Sequence, residues 1–359
     1  MKNRENMYFD IHIIQTVPPS CVNRDDTGSP KTCIYGGVRR ARVSSQSWKR
    51  AIRLSFRDMY TQEDLSNRTM RIVGMVEEQI KCLNDKVDAK DLTKKVLESA
   101  GIKLSKKDPE KAEAMFFMSV AQAKALADIA VNSPEKITDK NVCKAALKEK
   151  PSIDMALFGR MVASDPSLNY DAAAMVAHSI STHKVQTEFD YFTAVDDLSP
   201  EETSGAGHLG TVEFNSSTLY RYASVNVMEL YKNLKDATPM AVRDFAEALI
   251  LSMPTGKINT FANFTLPNAV YVTVRKDQPV NLSPAFERPV PVDEGGGYVS
   301  ESKKALVKYA KTVYDSFAEE PVKAWTVGEG IEELGNKVNI KTMLTELENY
   351  IAESLVEVE

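Results

Sequence analysis

The sequence predicts an α+β fold from three observations. A β-branched, period-two segment opens the chain at Met7–Gln15. A largely helical stretch of more than a hundred residues runs from Met59 to about Ala173. Two strand-like runs, Val185–Val195 and Thr211–Asn226, then bracket a polar loop. The 359 residues exceed the needs of one small domain. A composition 43% hydrophobic and 26% charged excludes disorder as the main state. Glycine and proline show no period, which excludes a fibrous repeat. No apolar run reaches the roughly 18–20 residues of a membrane span, and the first twenty residues lack a basic region followed by an apolar stretch. The expectation is a soluble, cytoplasmic protein with no membrane partner. Cys21, Cys33, Cys82 and Cys143 are scattered, with no CxxC and no His at zinc-finger spacing, so reduced thiols and no structural metal are expected.

Along Met7–Gln15, Phe9, Ile11 and Ile13 alternate with Asp10, His12 and Ile14, the pattern of a half-buried strand with His12 on its more polar face. A lone His there reads as a surface or packing residue. Pro18, Pro19, Gly28, Pro30, Gly36 and Gly37 make Thr16–Val43 a loop or hairpin. Asn23–Gly28 is its turn, and Lys31–Gly37 brings the chain back. Ser44 or Ser45 is the N-cap of the helix that follows. At about 100° per residue, Gln46, Lys49, Arg50, Arg53 and Arg57 share one stripe, opposite Trp48, Ala51, Ile52, Ser55, Phe56 and Met59.

Amphipathic stretches near Leu65–Leu83, Ala89–Ala100, Glu110–Val131 and Asp139–Lys150 build the helical segment, punctuated by Pro109, Pro134, Pro151 and Pro166. Met115, Phe116, Met118 and Val120 are assigned to its core. Ala172–His183 is expected as a short helix, on which His178 and His183 lack the i, i+4 spacing of a shared metal site. The two strand-like runs around a loop from Asp196 to Gly210 predict a long, projecting hairpin. A helix at 239–253, a strand at Ala269–Arg275, a Pro-rich stretch at Pro279–Pro291 and helices near Ser302–Phe317 and Ile340–Val356 complete the chain.

The net charge of −5 alone argues against a nucleic-acid partner, and its distribution reverses that. Between Cys21 and Arg57 lie Arg24, Lys31, Arg39, Arg40, Arg42, Lys49, Arg50, Arg53 and Arg57, against only Asp25 and Asp26. Such a patch on an otherwise acidic body draws polyanions to one surface. Serine hydroxyls and unpaired N–H groups at the helix start, with arginines along its stripe, match an extended phosphate backbone. Catalytic signals are missing: there is no P-loop, no GxSxG and no HExxH. The GxGxxG at Gly205–Gly210 leads into a strand rather than a helix, so it reads as a chance match, and His208 within it has no identifiable partner. No catalytic residue, metal ligand or cofactor is assigned.

Five runs stand in order: Asn23-Arg24-Asp25-Asp26-Thr27-Gly28, the stretch from Gly36-Gly37 through Ser44-Ser45-Gln46-Ser47-Trp48-Lys49-Arg50, Gly159-Arg160-Met161, Phe192-Thr193-Ala194-Val195-Asp196-Asp197, and His208-Leu209-Gly210-Thr211. Together they resemble the CasC family, the backbone subunits of the type I-E CRISPR surveillance complex, Cascade. The resemblance spans most of the chain and is weakest between about 58 and 150 and after 275.

It implies an RRM-like (ferredoxin-like) palm carrying inserted helical fingers and a β-hairpin thumb. The matching boundaries are 1–57 for the first part of the palm, 58–183 for the fingers, 184–226 for the thumb and 227–359 for the rest of the palm with C-terminal helices. It further implies a non-enzymatic role in antiviral defence: copies polymerise head to tail as a helical filament along a crRNA, beside the large, small and two crRNA-end subunits, and the guide pairs with a target DNA strand. The RNA-contacting positions carried over are Lys31, Ser44, Gln46, Lys49, Arg50 and Arg53, with Arg24 and Arg42. Met161, Phe192, Thr193 and Leu209 match the wedge that displaces bases periodically. A competing reading is a metal-dependent ribonuclease of the type III kind, with Asp25 and Asp26 in an early loop holding a divalent ion.

Overall fold

The structure, a computed structural model, describes residues 6–149, 151–193 and 209–357. In chain order the elements begin β1 (Tyr8–Ser20), β2 (Thr32–Tyr35), β3 (Val38–Val43), α1 (Ser45–Met59), β4 (Ser66–Thr69), α2 (Ile72–Leu83) and α3 (Ala89–Ser99). Next come β5 (Phe116–Ser119), α4 (Val120–Asn132), α5 (Lys140–Ala146), α6 (Ile153–Phe158), β6 (Ala174–Val176), β7 (Ser179–Ser181), β8 (Glu188–Thr193) and β9 (Leu209–Asn226). The last are α7 (Val227–Leu234), α8 (Thr238–Leu251), α9 (Ile258–Phe261), β10 (Ala269–Arg275), α10 (Val299–Ser316), β11 (Lys323–Gly328), β12 (Asn336–Lys337) and α11 (Ile340–Val356). The mixed α+β class holds. The chain divides into two compact units, one of Met1–Ile52, Val176–Ser224 and Phe245–Glu359, the other of Arg53–Met175 and Val225–Asp244.

The first unit is built on one sheet with strand order β12-β11-β10-β1-β9-β7-β3-β2, and β8 pairs with β9. β1 is buried on both faces, not half-buried as its alternation suggested. Phe9, Ile11 and Ile13 lie on one face, and Asp10, His12 and Ile14 on the other are equally enclosed. Helix α10 packs on the second face, where Leu306 and Ala310 join Ile14, Tyr220 and Tyr271 in one apolar cluster. The opposite face carries Trp325, whose indole N–H donates to Glu346 of α11 (2.6 Å). A sheet covered on both sides must bury even the polar residues of its central strand.

Those residues are individually satisfied. The Asp10 carboxylate accepts from the Tyr222 hydroxyl (3.1 Å) and the Val280 amide (2.9 Å), and burial raises its pKa to about 6. His12 sits among the rings of Tyr220, Tyr222 and Tyr271, bonded to the Tyr220 hydroxyl at 2.8 Å, and burial lowers its pKa to about 3.

The second unit packs helices α2 to α5 on one apolar cluster that includes Ile72, Val76, Ile80, Leu97, Leu126 and Met118. Its helices start where the sequence places stop-and-start residues. Asp88 caps α3, Ser119 caps α4 in a capping box with Gln122, and Asp139 caps α5. Phe116 and Met118 are core as assigned, whereas Met115 is exposed.

The expected helices at Leu65–Leu83 and Glu110–Val131 each begin later than periodicity suggests. Their first residues form the antiparallel pair β4–β5, in which Asn67 faces Met118 and Thr69 faces Phe116. The expected helix at Ala172–His183 is instead the two short strands β6 and β7. There the pattern Ser179-Ile180-Ser181 follows the strand period, and pairing with β3 and β9 outweighs the helical propensity of the alanines. Strand β11 has no counterpart in the sequence reading.

Candidate nucleic-acid interface

In the first unit, the loop before β2 is tied to the start of α1 through Asn23. Its side-chain carbonyl accepts the Ser44 amide (2.9 Å) and its backbone carbonyl accepts the Lys31 amide (2.8 Å). Arg42 and Lys31 are then joined through their backbones at 2.9 Å. Gly36 and Gly37 close the β2–β3 hairpin with φ of 58° and 77°, and any side chain at Gly36 collides with the Glu287 carbonyl.

Asp25 folds back into its own loop. One carboxylate oxygen accepts from the Thr27 hydroxyl (2.7 Å), the Thr27 amide (3.0 Å) and the Ser29 amide (3.0 Å). These bonds, the Thr27 hydroxyl foremost, hold its pKa below the usual carboxylate range. The arrangement makes Asp25 a staple for the turn.

Helix α1 presents the stripe read from its periodicity. Trp48, Ala51, Ile52 and Phe56 are buried, Gln46, Arg50 and Arg57 are exposed, and Lys49 is half-buried with its pKa lowered by desolvation. Ser44, just before α1, is buried, so its contribution is to hold the helix start. Arg24 is exposed, and Lys31 and Arg42 are half-buried. Among the described residues, Arg24, Lys31, Arg39, Arg42 and Arg50 make no ion pair.

Two further cations lie beneath this surface without a carboxylate. Arg40 is fully buried and donates to the carbonyls of Tyr35 (3.2 Å), Ser181 (2.9 Å), Phe286 (2.8 Å) and Glu287 (3.0 Å). Arg221 stacks on Trp48, its guanidinium carbon 3.8 Å from the ring centroid, and donates to Gln15 and the Leu249 carbonyl. Burial lowers its pKa to about 9. Neutral acceptors satisfy all of Arg40's nitrogens, and Arg221's two terminal ones while its buried Nε stays without a partner among the described residues, so neither charge is cancelled and both add to the positive potential of this unit.

Arg53 departs from the expected stripe. It belongs to the second unit, where its Nε meets Asp154 at 3.1 Å and its guanidinium donates to the Ser66 carbonyl (3.0 Å). Its guanidinium carbon also lies 4.6 Å from the Phe117 ring centroid. With Asp154 only 3% exposed, Arg53 is committed to holding a buried carboxylate. Sequence periodicity finds the stripe but cannot see a carboxylate a hundred residues away.

In the same unit, Met161 is 85% exposed, and its neighbours explain why. Gly159 takes φ +73° where a Cβ would meet the Tyr170 carbonyl. Arg160 is buried, donating to Leu168, Phe117, Leu147 and Gln122, with its pKa lowered to about 10 by burial. The anchored arginine fixes the chain and turns the next side chain outward. In the first unit, β8 pairs with β9 so that Phe192 opposes Gly210 and Thr193 opposes Leu209. The Phe192 ring covers Gly210, and both Phe192 and Thr193 are exposed. The loop tip, including His208 and the GxGxxG up to it, lies outside the described residues.

Residues 9–352 match the family described as CT1975-like protein. The chain belongs to this family. No curated protein sequence matches the CT1975-like chain. Two solved structures are similar to it. A chain of a "CRISPR RNA-guided surveillance complex, pre-nicking" is 30% identical, with 95% of this chain and 100% of that chain covered and a TM-score of 0.78. A chain of a "CRISPR RNA-guided surveillance complex" is 28% identical, with 94% and 99% covered and a TM-score of 0.61.

Proposed function

We propose that the chain is a non-catalytic backbone subunit of a CRISPR RNA-guided surveillance complex of type I-E. Several copies polymerise head to tail along a crRNA and hold its sugar–phosphate backbone without sequence preference. The observation that carries this reading is the set of cations at Arg24, Lys31, Arg42 and Arg50 that lack a counter-ion among the described residues. Family membership and the two similar chains of surveillance complexes support it. A guide must serve any spacer, so protein contacts go to phosphate and sugar and base pairing with the target DNA strand supplies specificity.

In this reading the sheet unit is an RRM-like palm with β8–β9 as thumb, and the helical unit supplies the fingers. Gln46 and Lys49 extend the cation set along α1, and Ser44 holds its start. The outward Met161, with Phe192, Thr193 and Leu209, displaces bases at intervals. The head-to-tail contact between copies is heterologous and does not close. The large, small and crRNA-end subunits complete the assembly. The metal-dependent ribonuclease reading gains nothing from Asp25, whose carboxylate serves its own turn.

The test is the affinity of the full chain for a guide-length RNA of scrambled sequence, measured against salt. Lys49→Glu with Arg50→Glu should weaken binding by roughly 10–100-fold and shallow the log–log salt slope by about 1.4, at about 0.7 per lost phosphate contact on a single strand. An unchanged slope contradicts the reading.

A further inference from the structure

We propose that His178 is a further guide contact: a neutral imidazole whose Nε2–H donates to a backbone phosphodiester oxygen, with Arg42 fixing the ring and Lys31 supplying charge beside it. This rests on the RNA-binding role proposed above. The placement comes from the sheet. β3 pairs with β7 so that Arg42 faces Ile180 and Val43 faces Ser179, which brings His178 to the Arg42 side chain. The Arg42 guanidinium meets His178 Nδ1 at 3.1 Å while its Nε donates to the Thr32 carbonyl at 3.3 Å. A guanidinium has no lone pair to offer, so it must be the donor and Nδ1 the acceptor. The ring proton therefore sits on Nε2, and the ring is neutral.

The other described histidines contrast with it. His183 is buried, stacks on Tyr298 with ring centroids 3.5 Å apart, donates from Nδ1 to the Lys184 carbonyl (2.8 Å) and accepts the Thr218 amide at Nε2 (3.0 Å). His12 is enclosed by tyrosines. His178 is exposed, and its Nε2 has no partner among the described residues. The charged groups acting on it are Arg42 on β3 and Lys31 just before β2. Desolvation first, then these two charges, hold its pKa below the ordinary value. Two cations and one directed neutral donor repel metal ions and suit a singly charged group with two free oxygens, which describes a phosphodiester.

The experiment compares scrambled-RNA affinity and salt slope for wild type, His178→Ala, Arg42→Ala and the double variant, with melting curves as the folding control. One lost neutral hydrogen bond predicts about fivefold weaker binding for His178→Ala, within the roughly 2–12-fold such a bond is worth. Its salt slope stays at the wild-type value because no charge is removed, whereas Arg42→Ala shallows the slope by about 0.7. The double variant should lose less than the product of the two single losses. His178→Ala binding within twofold of wild type, while Arg42→Ala is weakened, overturns the His178 contact and leaves the RNA-binding role intact. Wild type failing to bind any RNA overturns that role itself. A shallower slope for His178→Ala shows a charged ring and also overturns the assignment. On the unmodified protein, imidazole ¹⁵N shifts at pH 7 should show an Nε2–H tautomer that moves on RNA addition, and an Nδ1–H or doubly protonated ring contradicts it.

Discussion

A set of cations in the helical unit and a set in the 24–50 stretch differ in whether a carboxylate stands beside them. In the helical unit five pair with acids: Lys81 with Glu77, Lys95 with Asp91, Lys111 with Asp108, Lys144 with Asp165 and Arg53 with Asp154. In the stretch ahead of α1 and along its first turns, Arg24, Lys31, Arg42 and Arg50 have no such partner among the described residues. A paired lysine at the surface contributes little stability and presents little net charge to solvent. An unpaired row leaves a field, and that field is what a polyanion meets.

The largest effect that tests this contrast is on RNA affinity. Reversing Lys95 and Lys144 in the helical unit should leave affinity within about twofold of wild type, against the roughly 10–100-fold loss expected for Lys49 and Arg50. Equal losses from both pairs break the comparison, because only overall charge would then matter.

Next is stability. Arg53→Ala leaves Asp154 buried without its cation, a loss of about 3–5 kcal/mol where a pair is fully buried and less here, because Arg53 is partly exposed. The melting temperature should fall clearly, while Arg50→Ala leaves it within a degree or two. If Arg53→Ala melts like wild type, Arg53 is not the structural cation described above.

A smaller effect concerns pH. The folded pKa of His12, about 3, lies below its unfolded value of 6.5, so the stability of the neutral ring is complete above 6.5 and is lost as pH falls toward 3. Asp10 has the opposite sign: its raised folded pKa, about 6 against 3.8, returns stability as pH falls from 6 toward 3.8. The shift at His12 is larger, so net stability should decline on acidification. His12→Phe, which cannot ionise, should reduce the drop in melting temperature between pH 7 and pH 4.5. An equal drop in the variant assigns the acid sensitivity elsewhere.

How far the sequence revealed this depends on the range of each interaction. The face of α1 was legible because both its sides are set by residues three and four apart, and Trp48, Ile52 and Phe56 are buried as their spacing requires. Helix α11 was legible for the same local reason, and strand β10 from its β-branched and aromatic run. Arg40 and Arg53 were not, since the carbonyls and the carboxylate that hold them come from distant segments. His178 was hidden by reading Ala172–His183 as a helix, although Ser179-Ile180-Ser181 already carried the alternation of the strand it forms. Helix α7 groups with the helical unit through Asn226, whose amide donates to the Ala173 carbonyl, a long-range tie that composition does not reveal.

In the proposed role, cations of the 24–50 stretch hold an RNA backbone regardless of sequence. Lysine-specific acetylation read by mass spectrometry, with and without each of two RNAs of unrelated sequence, tests it most directly. Lys31 and Lys49 should lose reactivity equally with both RNAs, while Lys81, Lys95, Lys111 and Lys144 keep theirs. Protection at those four lysines instead, or protection by only one of the RNAs, contradicts it.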